Sequence, residues 1–162
     1  MEKLLRKVYN SKKLYRILIA VSPLAVALTA LCYLLLLWAA FEASVGSLIK
    51  LVIITAMPFA SVTLVRRKIN APRPFELYPF YEKKPSHSEG RGFPSRHAFS
   101  CFIIGTVAVV PYPIMGACLL LLGACLSVAR VLVGLHFIRD VVAGALIGVI
   151  SGIIGILVAS PF

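Results

Sequence analysis

Acidic side chains are scarce in this chain: six Asp and Glu stand against seventeen Lys and Arg in 162 residues, for a formal net charge of +11. Asp140 is the sole aspartate. The basic excess is not gathered into a separate domain, so no nucleic-acid partner is expected, and anionic lipid or phosphate suits it better. Cysteine pattern is lacking too. Cys32, Cys101, Cys118 and Cys125 lie inside apolar segments with no CxxC spacing, which indicates small packing residues and neither zinc nor disulfide. No cleavable signal peptide is evident, because the first apolar run is long and has no small-residue cleavage site.

Polar surface is the deepest deficit. A hydrophobic content of 60% and a mean hydropathy of +0.94 exceed what a soluble core of this length can use. Apolar runs at 17–41, 47–65, 98–110, 114–135 and 141–160 read as membrane-crossing segments, the third of them short. Continuous runs with short connections predict an all-α integral membrane helical bundle of about five transmembrane helices, one domain over 1–162, because a barrel would show alternating strands. Residues 1–16 interleave Lys3, Arg6, Lys7, Lys12, Lys13 and Arg16 with Leu4, Leu5, Val8, Tyr9, Leu14 and Tyr15, the pattern of an amphipathic segment on an anionic bilayer surface.

Between the spans, the polar segments are few. Glu42 to Gly46 reads as a short link, and Pro58 as a kink in the second span. That span ends on Arg66-Arg67-Lys68, and the following Asn70, Pro72 and Pro74 break the helix. The long polar loop from Phe75 to Phe93 carries alternating charges, among them Glu76, together with His87, read as a solvated residue. Ser95 in Pro94-Ser95-Arg96-His97 is a good N-cap, and the amides beyond it form a ready anion site. Pro111-Tyr112-Pro113 then turns the chain, and the next run returns to Arg130, His136 and Asp140. The four-residue spacing of His136 and Asp140 puts them on one helical face or lets them meet across a tight turn. Gly144, Gly148 and Gly152 form a packing stripe for a close helix neighbour.

Counting spans brings the three polar clusters to one membrane face. Arg66, Arg73 and Arg130, with the helix start at Ser95, match a phosphoryl group and are suited to an oxyanion that gains charge in the transition state, whereas they would repel a divalent metal. With Asp140 behind His136, one histidine can attack phosphorus while the other protonates the leaving oxygen, through a phosphohistidine intermediate.

Arg66-x6-Arg73-Pro74, Pro94-Ser95-Arg96-His97 and Arg130-x5-His136-x3-Asp140 resemble the three signature motifs of the type 2 phosphatidic acid phosphatase superfamily, membrane lipid phosphatases related to vanadium haloperoxidases. The resemblance spans residues 66–140. It implies His136 as nucleophile, Asp140 as its orienting partner and His97 as general acid. Arg66, Arg73, Ser95, the Arg96 amide and Arg130 would hold phosphate, with no metal or other cofactor. Four features depart from the family pattern. Arg66 stands where lysine is usual, Arg96 where glycine is common, Ala129 where serine usually precedes the arginine, and five spans are counted where six are usual.

The expectation is a lipid phosphatase of a bacterial cell membrane, acting on phosphatidate, phosphatidylglycerophosphate or a polyprenyl phosphate or diphosphate. Two spans before the first motif and a basic N-terminal segment predict a cytoplasm-facing site. A non-catalytic lipid-phosphate binder or transporter is the alternative. Vanadate-dependent halide oxidation fits a membrane-buried chain poorly.

Overall fold

The structure, a computed structural model, describes residues 1–81 and 90–159, so His87, Glu82, Lys83, Lys84 and Glu89 lie outside the described residues. The described residues form seven helices and no strand: α1 (Glu2–Asn10), α2 (Lys12–Ala43), α3 (Val45–Ile69), α4 (Pro74–Leu77), α5 (Arg96–Ala108), α6 (Pro113–Leu132) and α7 (Ile138–Ala159). Four segments, carried by α2, α3, α6 and α7, are long and apolar enough to cross a bilayer. This is an all-α integral membrane bundle. Its outer faces carry large exposed apolar side chains such as Leu34, Trp38, Leu64, Leu121 and Leu157, which suit hydrocarbon and would be untenable in water.

The third predicted span, α5, is the odd member. Thirteen residues reach about 20 Å at 1.5 Å per residue, short of the roughly 30 Å of hydrocarbon. It can be short because it is central, packed against α2, α3, α6 and α7 together. Eight of its residues are buried, among them Phe99, Ile103 and Val107. The glycine stripe of α7 makes this possible. A Cβ on Gly144 would collide with the Ser95 carbonyl oxygen, and one on Gly148 would stand 2.7 Å from that of Phe99. Backbone therefore meets backbone where α7 crosses α5.

Several boundaries differ from the sequence reading. The first membrane helix starts at Lys12, so Lys12, Lys13 and Arg16 extend its N-terminal end, and only α1 forms the separate amphipathic helix, burying Leu5 and Val8. The expected link Glu42 to Gly46 contracts to Ser44, whose hydroxyl caps α3 by accepting from the Ser47 amide at 2.9 Å. The α6 helix stops at Leu132, leaving a turn that holds His136 ahead of α7.

Candidate active site

The end of α3 supplies the first charge. Three basic residues fill its last turn, and Asn70 closes it in the left-handed conformation that asparagine tolerates, its amide bonding the Arg66 carbonyl at 3.0 Å. Arg66 itself turns inward, is 5% exposed, and donates from Nη1 to the Pro94 carbonyl just before α5. The first and second motifs are thereby joined through a guanidinium.

Arg73 sits at the start of α4 and is equally buried. Its Nε donates to the Gly90 carbonyl at 3.1 Å. Glu76, three residues on, accepts from the Arg73 amide at 3.3 Å and from the Gly90 amide at 2.8 Å, buckling the two ends of the long loop together. In the sequence Glu76 is one of several loop charges. The available signal was its place three residues after the helix-initiating Arg73-Pro74, where an acidic side chain can reach back to free amides.

Ser95 is fully buried and caps α5, its Oγ accepting from the Ala98 amide at 3.5 Å. Its own amide donates to the Asp140 carbonyl at 2.8 Å. In the first turn of α5, His97 is half-buried, and the cationic groups acting on it are Arg130, Arg96 and Arg66, with the His136 ring also near it. The first and second motifs thus meet the third around this histidine.

In the third motif the tight turn is realised. The Arg130 carbonyl accepts from the amides of Leu135 and His136, at 2.9 and 3.3 Å, and the chain passes through Gly134 at φ +84°. A side chain there would strike the Tyr81 hydroxyl, so glycine is needed for both conformation and space. Phe75 donates its amide to the Gly134 carbonyl at 3.1 Å, which ties the turn to the segment after Arg73. Tyr81 and Gly134 were not foreseen as site supports, since no local pattern links residues so far apart.

His136 and Asp140 are each 1% exposed, with Nδ1 and Oδ2 3.6 Å apart. That is slightly long for a hydrogen bond, and close enough for the carboxylate to pair with the ring once it carries a charge. The same Oδ2 accepts from the Phe137 amide at 2.8 Å, which fixes the carboxylate beside the imidazole at the start of α7. Burial lowers the His136 pKa to about 4, with the neighbouring Asp140 carboxylate opposing and Arg130 and Arg73 reinforcing the shift. At neutral pH the ring is uncharged.

All eight expected site residues therefore converge. Arg66, Arg73 and Arg130 are buried, yet among the described residues none is ion-paired to a carboxylate. Arg130 donates from Nη1 to the Ser22 hydroxyl of α2 at 3.4 Å, while its Nε has no partner among the described residues. Buried guanidiniums in this state are electrostatically poised for an anion. No three His, Cys, Asp or Glu side chains among the described residues come together in a way that could hold a metal.

A model of the PAP2 superfamily matches residues 47–161. The chain belongs to that superfamily. This PAP2 chain is also similar to the crystal structure of Aquifex aeolicus LpxE, with a TM-score of 0.62 and 27% identity, covering 90% of this chain and 93% of the other. The bacitracin transport permease protein BcrC of Bacillus licheniformis is 33% identical over 81 residues, which is 50% of this chain and 40% of BcrC, so less than half of that relative is matched. The departures from the common PAP2 pattern have visible surroundings. Arg66 uses its fork to reach the Pro94 carbonyl, Arg96 is half-buried beside His97, and Ala129 is packed inside α6.

Proposed function

We propose that the chain is a metal-independent lipid phosphatase that removes a terminal phosphate from a membrane lipid. The observation that carries this reading is the convergence of Arg66, Arg73 and Arg130, buried and without carboxylate partners among the described residues, on two histidines and a helix start. Guanidinium forks and backbone amides complement the oxygens of a phosphoryl group more strongly as charge builds on them.

In this mechanism the neutral His136 ring attacks phosphorus through Nε2. The new P–N bond forms as the bond to the lipid oxygen breaks, and His97 gives that oxygen a proton. Asp140, facing Nδ1 at 3.6 Å, stabilises the charge that the imidazole acquires. Water then attacks the phosphohistidine, giving its proton back to His97 and releasing phosphate.

The lipid is a glycerophospholipid monoester or a polyprenyl phosphate or diphosphate. A groove of about 550 Å³ supports a lipid over a soluble phosphate, because its walls are apolar and both His97 and Arg96 line it. We place the site on the cytoplasmic face, on the strength of the basic residues that flank the start of α2 and of the Tyr9–Tyr81 ring contact that packs α1 beside the site loop. Reporter fusions within residues 75–90 and after Phe162 test this, and outward display of the loop would reverse it.

The Bacillus licheniformis relative is named a bacitracin transport permease, and the word transport gives some footing to a second reading, in which this chain binds or moves a lipid phosphate without chemistry. Phosphate release by purified protein in the presence of a chelator separates the two. Phosphatidate, phosphatidylglycerophosphate and polyprenyl diphosphate are the substrates to compare, with His136→Ala as control. Turnover lost in the variant supports the phosphatase; turnover absent from both supports the binder.

A further inference from the structure

The groove beside His97 has a structure of its own. Its walls descend three helices, from Val26 to Tyr33 on α2, from Phe59 to Thr55 on α3 and from His97 to Ile104 on α5. On each helix the lining positions recur at helical intervals of three to four residues, singly or as adjacent pairs, so each contributes one continuous stripe running away from the phosphate pocket. Val26 and Phe59 are exposed, as are the small Ala30 and Ala56, so the groove opens sideways between α2 and α3 towards hydrocarbon. A second hollow, between α3 and α7, touches the site only through Pro94 and includes neither histidine. The first groove is therefore the one continuous with the reacting groups.

The end of this groove is polar. Tyr33 Oη lies 2.7 Å from Thr55 Oγ1, bridging α2 and α3. Thr55 has one hydroxyl proton and lies 2.9 Å from the Leu51 carbonyl of its own helix, to which it donates. Tyr33 is thus the donor to Thr55, and the bond ties α2 to α3 at this end of the groove. From Arg66 back to Thr55 along α3 is about 16 Å at 1.5 Å per residue. The distance from Ser22, which meets Arg130, to Tyr33 along α2 is also about 16 Å. Both helices put the bar at one depth.

We propose that the Tyr33–Thr55 pair is the stop of a tail-binding groove and sets how much of a lipid's hydrocarbon is bound together with its phosphate. This rests on the phosphatase reading. A straight tail follows the groove for about 16 Å, meets the Tyr33 ring, and turns out through the side opening into the bilayer. Carbons up to that point contribute to kcat/KM, and carbons beyond it do not.

The test is kcat/KM for a series of single-chain alkyl phosphates, from octyl to eicosyl, in mixed micelles. For the unmodified protein kcat/KM should rise with chain length and then level off where the extended chain reaches about 16 Å. Tyr33→Ala should move that break to longer chains, and Ala56→Phe, at an exposed groove position, should move it to shorter ones. Hydrolysis of a tail-less aryl phosphate should be unchanged in both. A break that stays in place in both variants, or no break at all, overturns the proposal. Binding is read separately with an alkyl phosphate bearing a photoreactive group at its tail end. Labelling concentrated between Val26 and Tyr33 and around Ala56 supports the groove even if no phosphate is released, a result that would remove the phosphatase reading alone. Labelling spread over the lipid-facing side of α7 shows bulk bilayer only, and overturns the groove.

Discussion

The Ser95 amide donates to the Asp140 carbonyl at 2.8 Å, so the cap of the helix that carries His97 is bonded to the residue that stands behind His136. The proposed general acid on α5 and the proposed nucleophile in the turn before α7 need a common reference, and this bond supplies it. It exists because α7 presents Gly144 about one turn beyond Asp140, allowing the two backbones to meet.

Asp140→Asn keeps the shape and the Phe137 contact while removing the charge that stabilises a cationic imidazole. The expected result is a kcat lower by about 10²–10⁴-fold with little change in KM. Steady-state kinetics on folded, detergent-purified protein check this. A KM effect alone would assign Asp140 to binding.

The pH profile follows from the buried histidine. With a His136 pKa of about 4, the attacking ring is already neutral at pH 5–6, so the acid limb of kcat/KM should lie well below the ordinary histidine value of about 6.5. The same shift links to stability. A lowered folded-state pKa means that the unfolded chain takes up the proton first, so this contribution is complete above about 6.5 and is lost as pH falls towards 4. His136→Ala should flatten unfolding midpoints over that interval.

Gly144→Ala inserts a methyl group against the Ser95 carbonyl. Since backbone cannot move aside as a flexible side chain does, a loss of about 1–3 kcal/mol is expected, with activity falling as α5 shifts. Thermal unfolding in detergent and phosphate release, measured together, test whether the two losses track each other.

Glu76→Ala removes the acceptor shared by the Arg73 and Gly90 amides. Arg73 is then less firmly placed, and KM should rise on the order of tenfold, the equivalent of about 1.4 kcal/mol, with kcat little altered. Equal loss in kcat and kcat/KM would instead make the buckle part of the transition-state geometry.

Much of this arrangement was legible in the sequence because it is written in local patterns. Apolar runs fixed the bundle, Ser95 announced a helix start, and the glycine stripe announced a close helix neighbour. The span count then put Arg66, His97 and His136 on one face. The His136–Asp140 spacing left a choice between helix face and turn, which the left-handed Gly134 and the end of α6 at Leu132 resolve. What local pattern does not encode are relations across the fold. The Tyr81 hydroxyl against Gly134, Ser22 below Arg130, and the Tyr33–Thr55 bar each join residues on separate segments. The start of α2 at Lys12 was also hidden, since charged side chains at a helix end snorkel and leave no break in the chain.

Covalent capture tests the central claim most directly. Protein mixed with a lipid substrate carrying a radiolabelled terminal phosphate is quenched within the first turnover and digested under alkaline conditions. The account predicts label on the peptide containing His136, stable to alkali and lost in acid, and absent from His136→Ala. Label on another residue, or full-rate phosphate release with no labelled protein at any time point, would contradict it.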